Sequence, residues 1–167
     1  MSYKSIVIFL LIAFTFCTEN RITEPRPGIK LPTDFNVSAF REKSLENQIR
    51  FINQLSGASC IAFLESYLPG MKMHGPVNTE LQFEGDGNLI VDIWDVGKPY
   101  SARWKVANSQ LHFYFDKPEL ELSDFEKDIF NGYPALYDSC RAEQRKPNQR
   151  MLIITLFYKD EEVLSLY

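Results

Sequence analysis

At 167 residues, with 45% hydrophobic and 24% charged side chains, the chain has the size and composition of one folded domain and not of a disordered segment. A formal net charge of −4 supplies no general pull toward nucleic acid or anionic lipid, so nucleic-acid binding is not expected. Phe (13) and Tyr (8) are abundant, which favours a β-rich core.

Residues 1–17 have the layout of a secretory signal: Lys4 supplies the positive start and Ile6 to Phe16 is uncharged and apolar. At about 1.5 Å per residue this stretch reaches only about half of a ~30 Å hydrocarbon core, too short for a permanent span. A buried N-terminal helix of a cytosolic domain is the competing reading. It is disfavoured because the stretch is apolar all round and is followed at once by polar, Pro-containing chain. The expected location is therefore extracytoplasmic. Cys17 falls where the lipidated cysteine of a bacterial lipoprotein falls, and this N-terminus resembles that class, which implies a lipid anchor at Cys17. Phe14 and Phe16 depart from the usual Leu and small residue at those positions. Plain cleavage flanked by Thr15 and Cys17, or by Ala13 and Thr15, stays open, as does a retained anchor. Membrane contact is expected only through such a lipid.

Residues 18–37, with Pro25, Pro27, Pro32 and Gly28 among charges of both signs, read as an extended linker before a single β-rich domain at 38–167. Asn36-Val37-Ser38 is a formal glycosylation acceptor of no weight. Ser44 to Leu55 predicts a helix: Leu45, Ile49, Ile52 and Leu55 share one face, Ser44 caps, Glu46 lies in the first turn, and Ser56-Gly57 ends it. Ala58 to Leu68 fits either a helix (Ile61, Leu64, Leu68) or a strand (Ile61, Phe63, Tyr67, with Glu65 intruding). Pro69-Gly70 ends it in both cases.

From Thr79 the period becomes two. Leu81 and Phe83 precede a turn at Gly85-Asp86-Gly87-Asn88, and Leu89, Val91 and Ile93 share the next face. After a turn at 95–99, Tyr100, Ala102, Trp104 and Val106 alternate with polar residues; beyond Ala107–Ser109, Leu111, Phe113 and Phe115 do the same. Four strands with short turns predict an antiparallel meander with one buried face. Leu120 and Leu122 suggest a brief edge strand. Ser123-Asp124-Phe125-Glu126 is a capping box opening a helix with Phe125 and Ile129 on one side. Tyr133 to Gln149 reads as turn-like, so 123–149 resembles an insertion. Met151 to Tyr158 is a near-continuous apolar strand covered on both faces, and Val163 to Tyr167 a last strand.

The expected fold class is mainly β with one or two helices (α+β), a meander forming a small barrel or half-barrel capped by the N-terminal helix. Phe83, Asp86-Gly87, Gly97, Tyr100, Trp104 and Leu111 give residues 81–115 a pattern similar to the lipocalin-like domains of bacterial exported proteins. That resemblance implies a cavity for a small apolar ligand.

Cys60 and Cys140 lack CxxC partners, which removes support for zinc or thioredoxin-like chemistry. In an oxidising compartment they read as one disulfide, with two separate buried thiols as the alternative. His74 and His112 show no triad or metal spacing, and no GxSxG elbow is present. No catalytic, cofactor or metal site is expected, and Glu84, Asp86 and Asn88 read as a hairpin turn and not as calcium ligands. Arg141, Arg145, Lys146 and Arg150 read as a solvated basic loop. Trp94 and Tyr114, with Phe83, Val91, Ile93, Tyr100, Trp104, Phe113 and Phe115, line either a ligand cavity or a filled core. The functional expectation is a non-enzymatic envelope protein that binds a small apolar ligand or an envelope protein. The alternatives are an adhesin, assembly factor or inhibitor, or an enzyme using Glu65, Asp92 or Asp95.

Overall fold

The structure, a computed structural model, describes residues 28–75, 78–94, 98–129, 133–146 and 149–167. Residues 1–17, read above as an export signal and including Cys17, and residues 18–27 of the expected linker lie outside the described residues, as do Asp95, Gly97 and the side chains of Phe125, Ile129 and Arg150.

Three helices come first: α1 (Val37–Arg41), α2 (Leu45–Gln54) and α3 (Gly57–Tyr67). Ser44 caps α2 as its sequence predicts, accepting from the Asn47 N–H at 3.4 Å, and Ile52 faces the core. Ser56 does not merely end α2. It caps α3, accepting from the Ser59 N–H, and Gly57 opens that helix. The ambiguous stretch from Ala58 is thus helical. Cys60, Ile61, Phe63 and Leu64 are all fully buried on it, while Glu65 and Ser66 mark its single exposed stripe.

The sheet segments follow as β1 (Lys72–His74), β2 (Thr79–Phe83), β3 (Asn88–Ile93), β4 (Tyr100–Ala107), β5 (Gln110–Tyr114), β6 (Ala135–Tyr137), β7 (Ser139–Lys146), β8 (Gln149–Tyr158) and β9 (Glu161–Leu166). β1 to β6 form one curled antiparallel half-barrel in sequence order, and β7-β8-β9 form a second sheet. The fold is mainly β with helices, as expected. The meander registers bring Leu81 opposite Val91, Phe83 opposite Leu89 and Trp104 opposite Phe113, all on the buried face. At the β2–β3 hairpin Gly87 has φ +87°, a left-handed conformation that favours glycine. The Trp104 indole N–H donates to the Glu84 carbonyl at 3.0 Å and fastens that turn to β4.

The two sheets meet twice. β6 runs into β7 through Asp138, whose N–H donates to the Phe157 carbonyl at 2.9 Å. On the other side His74 and Tyr167 exchange two backbone hydrogen bonds, of 2.6 and 3.0 Å. α3 packs against β4, β5 and β7, and α2 against β7 and β8, so one core serves both sheets.

Three expectations are corrected. The described residues 133–146 are not turn-like: β6 and β7 lie there, β6 extending the half-barrel beside β5. Their polar, Arg-rich sequence hid a strand because Cys140 and Ala142 face inward while Arg141, Glu143 and Arg145 stay exposed. The described end of the linker is docked, with Ile29 in a parallel bridge to Leu55 and Leu31, Phe35 and Val37 packed on the core. A Cβ at Gly28 would fall 2.2 Å from the Ser56 nitrogen, so only glycine fits at this entry. The Leu120–Leu122 edge strand is instead a 3-10 turn at Glu119–Glu121, with Leu120 97% exposed and Leu122 buried.

Other expectations hold. Residues 153–156 of β8 are consecutively buried, the mark of a strand covered on both faces. Helix α4 (Asp124–Ile129) opens with the capping box: the Ser123 N–H donates to Glu126 Oε2 at 2.8 Å, and the Glu126 N–H to Ser123 Oγ at 3.3 Å. Lys117 Nζ reaches Glu126 Oε1 at 2.7 Å and, with the Ser123 donors, holds that carboxyl below its ordinary range.

The sequence carries no sign of Asn53's role. Its side-chain amide donates to the Ala142 carbonyl and its Oδ1 accepts from the Ala142 N–H, both at 2.8 Å. One side chain thereby pairs the outer edge of β7 as a neighbouring strand would. Asn53→Ala is expected to lower unfolding free energy by about 1–3 kcal/mol, since the N–H and the carbonyl of buried Ala142 both lose their partner. Urea denaturation at unchanged slope checks it; a shift under about 0.5 kcal/mol would make the pairing ornamental.

Candidate functional site

The expected cavity side chains are placed as follows. Phe83, Val91, Ile93, Trp104, Phe113 and Phe115 are buried on the inner face, and Tyr100 is half-buried at its margin. Phe83 lies between Trp104 (ring centroids 5.8 Å) and Phe113 (5.6 Å), and Phe113 continues to Tyr137 at 5.2 Å. α3 fills the concavity of the half-barrel, and these rings pack as core. A further aromatic group, Phe35, Phe40, Phe51, Phe63 and Tyr67, with centroids about 5–6 Å apart, binds the three helices to one another.

Cys60 and Cys140 are joined as a disulfide linking α3 to β7, with Cα atoms 5.8 Å apart, inside the range such bonds occupy. Both are buried. The bridge spans 80 residues of sequence, worth up to about 4 kcal/mol on the chain-entropy account.

Of the carboxylates considered for catalysis, Glu65 and Asp92 lie among the described residues and do not converge. Glu65 is on the exposed stripe of α3 and Asp92 on the outer face of β3. Among the described residues no group of three or more His, Cys, Asp or Glu is arranged to hold a metal. Glu84, Asp86 and Asn88 form a turn closed on itself, the Asn88 N–H donating to Asp86 Oδ1 at 2.9 Å. Among the described residues no helix is long and apolar enough to cross a membrane.

The outer face holds a feature that neither cavity nor core accounts for. Trp94 is 65% exposed. Its ring meets His74 edge-on at 6.0 Å; His74 packs on Tyr167 at 5.6 Å, and the Arg145 guanidinium lies 4.8 Å over the Tyr167 ring. The row crosses β7, β9, β1 and the end of β3, over the seam where the sheets meet. A solvated loop is therefore not the setting of the arginines: Arg145 and Arg141, which lies 5.2 Å over Phe157, sit on a strand with aromatic rings beneath them. Strand alternation carried the signal for Trp94, since with Leu89, Val91 and Ile93 inward the next residue points out.

One interior group is anomalous. Tyr137 is fully buried, and its hydroxyl has no hydrogen-bond partner among the described residues. Burial pushes its pKa far above the ordinary tyrosine value. Tyr137→Phe is therefore expected to leave stability unchanged or raise it by about 1 kcal/mol. A thermal or urea midpoint clearly below the parent protein's would reveal a partner for the hydroxyl.

Comparison with known proteins finds no protein family, no curated protein and no solved structure that matches this chain.

Proposed function

We propose that this chain is a non-enzymatic binding protein of the cell envelope. It is exported by residues 1–17, is either lipid-anchored at Cys17 or released by plain cleavage, and engages a protein partner through the row Trp94–His74–Tyr167–Arg145. The observation that carries the reading is the 65% exposed Trp94 at the head of that row. Trp, Tyr and Arg are the residue types most enriched at the energetic centres of protein interfaces, and here they are contiguous. Export has independent support in the paired cysteines, because disulfides persist in oxidising compartments.

The partner's chemistry follows from the row. It offers an apolar pocket for the indole and a carboxylate for the open edge of the Arg145 guanidinium, whose ring-facing side is already stacked. A filled interior argues for this over a ligand carrier, since an apolar guest needs α3 to give way. The carrier remains the second reading on one observation: the Tyr137 hydroxyl, without a partner among the described residues, is a polar handle inside the half-barrel. Saturable uptake of a fluorescent fatty acid would favour the carrier.

A photo-crosslinking side chain at position 94 is expected to yield a discrete protein adduct in the producing cell, and the same probe at Ser101, also exposed, none. Trp94→Ala should then weaken binding of that adduct partner by tenfold or more, with the fold unchanged by circular dichroism. Equal crosslinking at both positions would overturn the assignment. In the exported protein Cys60 and Cys140 should resist alkylation until reduced. Free thiols at both positions would place the chain in a reducing compartment and remove the export reading.

A further inference from the structure

We propose that the outer face of β4 and β5, away from the Trp94 row, carries a small-molecule site for a single-ring carboxylate. A depression of about 180 Å³ opens there between Lys105, His112, Tyr114, Tyr133 and Pro134. Strand register assembles it: Lys105 stands directly opposite His112, and β6 pairs with β5 so that the chain just before it brings Pro134 and Tyr133 alongside Tyr114.

Each wall has a fixed orientation. The Tyr133 hydroxyl donates its proton between the Phe115 carbonyl (2.9 Å) and the Lys117 carbonyl (2.6 Å), which leaves the ring as an apolar wall with its polar end occupied. Pro134 adds a second rigid apolar surface. His112 Nε2 lies 3.3 Å from the Ala107 carbonyl, an acceptor, so Nε2 carries the proton in this contact and the ring's orientation is set by it. Lys105 Nζ lies 5.2 Å over the Tyr114 ring and meets no carboxylate among the described residues. This is a cation held by an aromatic face, with its donors free for an anion.

Flat hydrophobic walls and one unneutralised ammonium select a ligand that stacks an apolar ring face and carries a negative group. The volume sets the size. Drug-sized pockets run to about 300–1,000 Å³, and a depression of about 180 Å³ matches one ring and its carboxylate. The ring lies between Tyr114 and the Tyr133–Pro134 wall, and the carboxylate sits on Lys105 Nζ. An aromatic acid and a uronic sugar share this chemistry. With about a dozen heavy atoms in an open site, the dissociation constant is on the order of 1 mM.

The test is an amide-shift titration of the isotopically labelled full chain, with 4-hydroxybenzoate in one arm and glucuronate in the other. Phenol and glucose serve as neutral counterparts. At least one acid is expected to give saturable shifts confined to the amides of Lys105, His112, Tyr114 and Tyr133. Saturation by 4-hydroxybenzoate alone identifies an aromatic acid, and by glucuronate alone a sugar acid. Lys105→Met should weaken the saturating acid at least fivefold and Tyr114→Ala should abolish the shifts. Both side chains point away from the core, so the remainder of the spectrum stays in place. No saturable shift with either acid, a neutral counterpart binding as well as its acid, or Lys105→Met binding as the parent does, would each overturn the proposal.

Discussion

The structure depends on the insertion of one nearly all-apolar helix, α3, into the concave side of a curled sheet. Ile61, Phe63 and Leu64 are completely removed from solvent on it, each worth about 1.5–3 kcal/mol of burial. Together they are comparable with the whole net stability of a domain, about 5–15 kcal/mol. A sheet curved enough to be filled by a helix need not close on its own strands for a core. It uses the helix as its second layer, and the Cys60–Cys140 bridge ties that layer to the second sheet.

Placing α3 inside decides how the edges are treated. α2 lies over β7 and β8, and Asn53 uses its amide to pair the outer edge of β7 at Ala142. His74 and Tyr167 close the opposite seam with two backbone bonds. Strand edges attract unwanted pairing when left open, and here polar side chains and short backbone contacts cover them in place of full barrel closure.

The same insertion bears on function. Phe83, Trp104 and Phe113 become core, and strand alternation leaves Trp94, Tyr114, His112 and Lys105 on the outer face, where both proposed sites lie. A meander with a helix packed on its inner side has its aromatic side chains on both faces of the sheet. Only the outer set is available without rearranging the fold.

What the sequence determined alone is what nearest neighbours decide. Alternation from Leu81 to Phe115, the Asp86-Gly87 turn, the Ser44 cap and the Ser123–Glu126 box each depend on residues within a few positions, so periodicity and capping chemistry were enough to read them. The helix at Gly57–Tyr67 is undecidable locally, because its apolar residues fit either period until their surroundings are known. The strands within 135–146 and the docking of Ile29 are not legible in the sequence because their partners are distant in it: β6 is held by β5, β7 by β8 and Asn53, Ile29 by Leu55. Exposed Arg141 and Arg145 then look like a loop until the inward Cys140 and Ala142 are seen. Tertiary packing alone settled which apolar face is covered and by what, since burial belongs to the contact between segments and not to either segment.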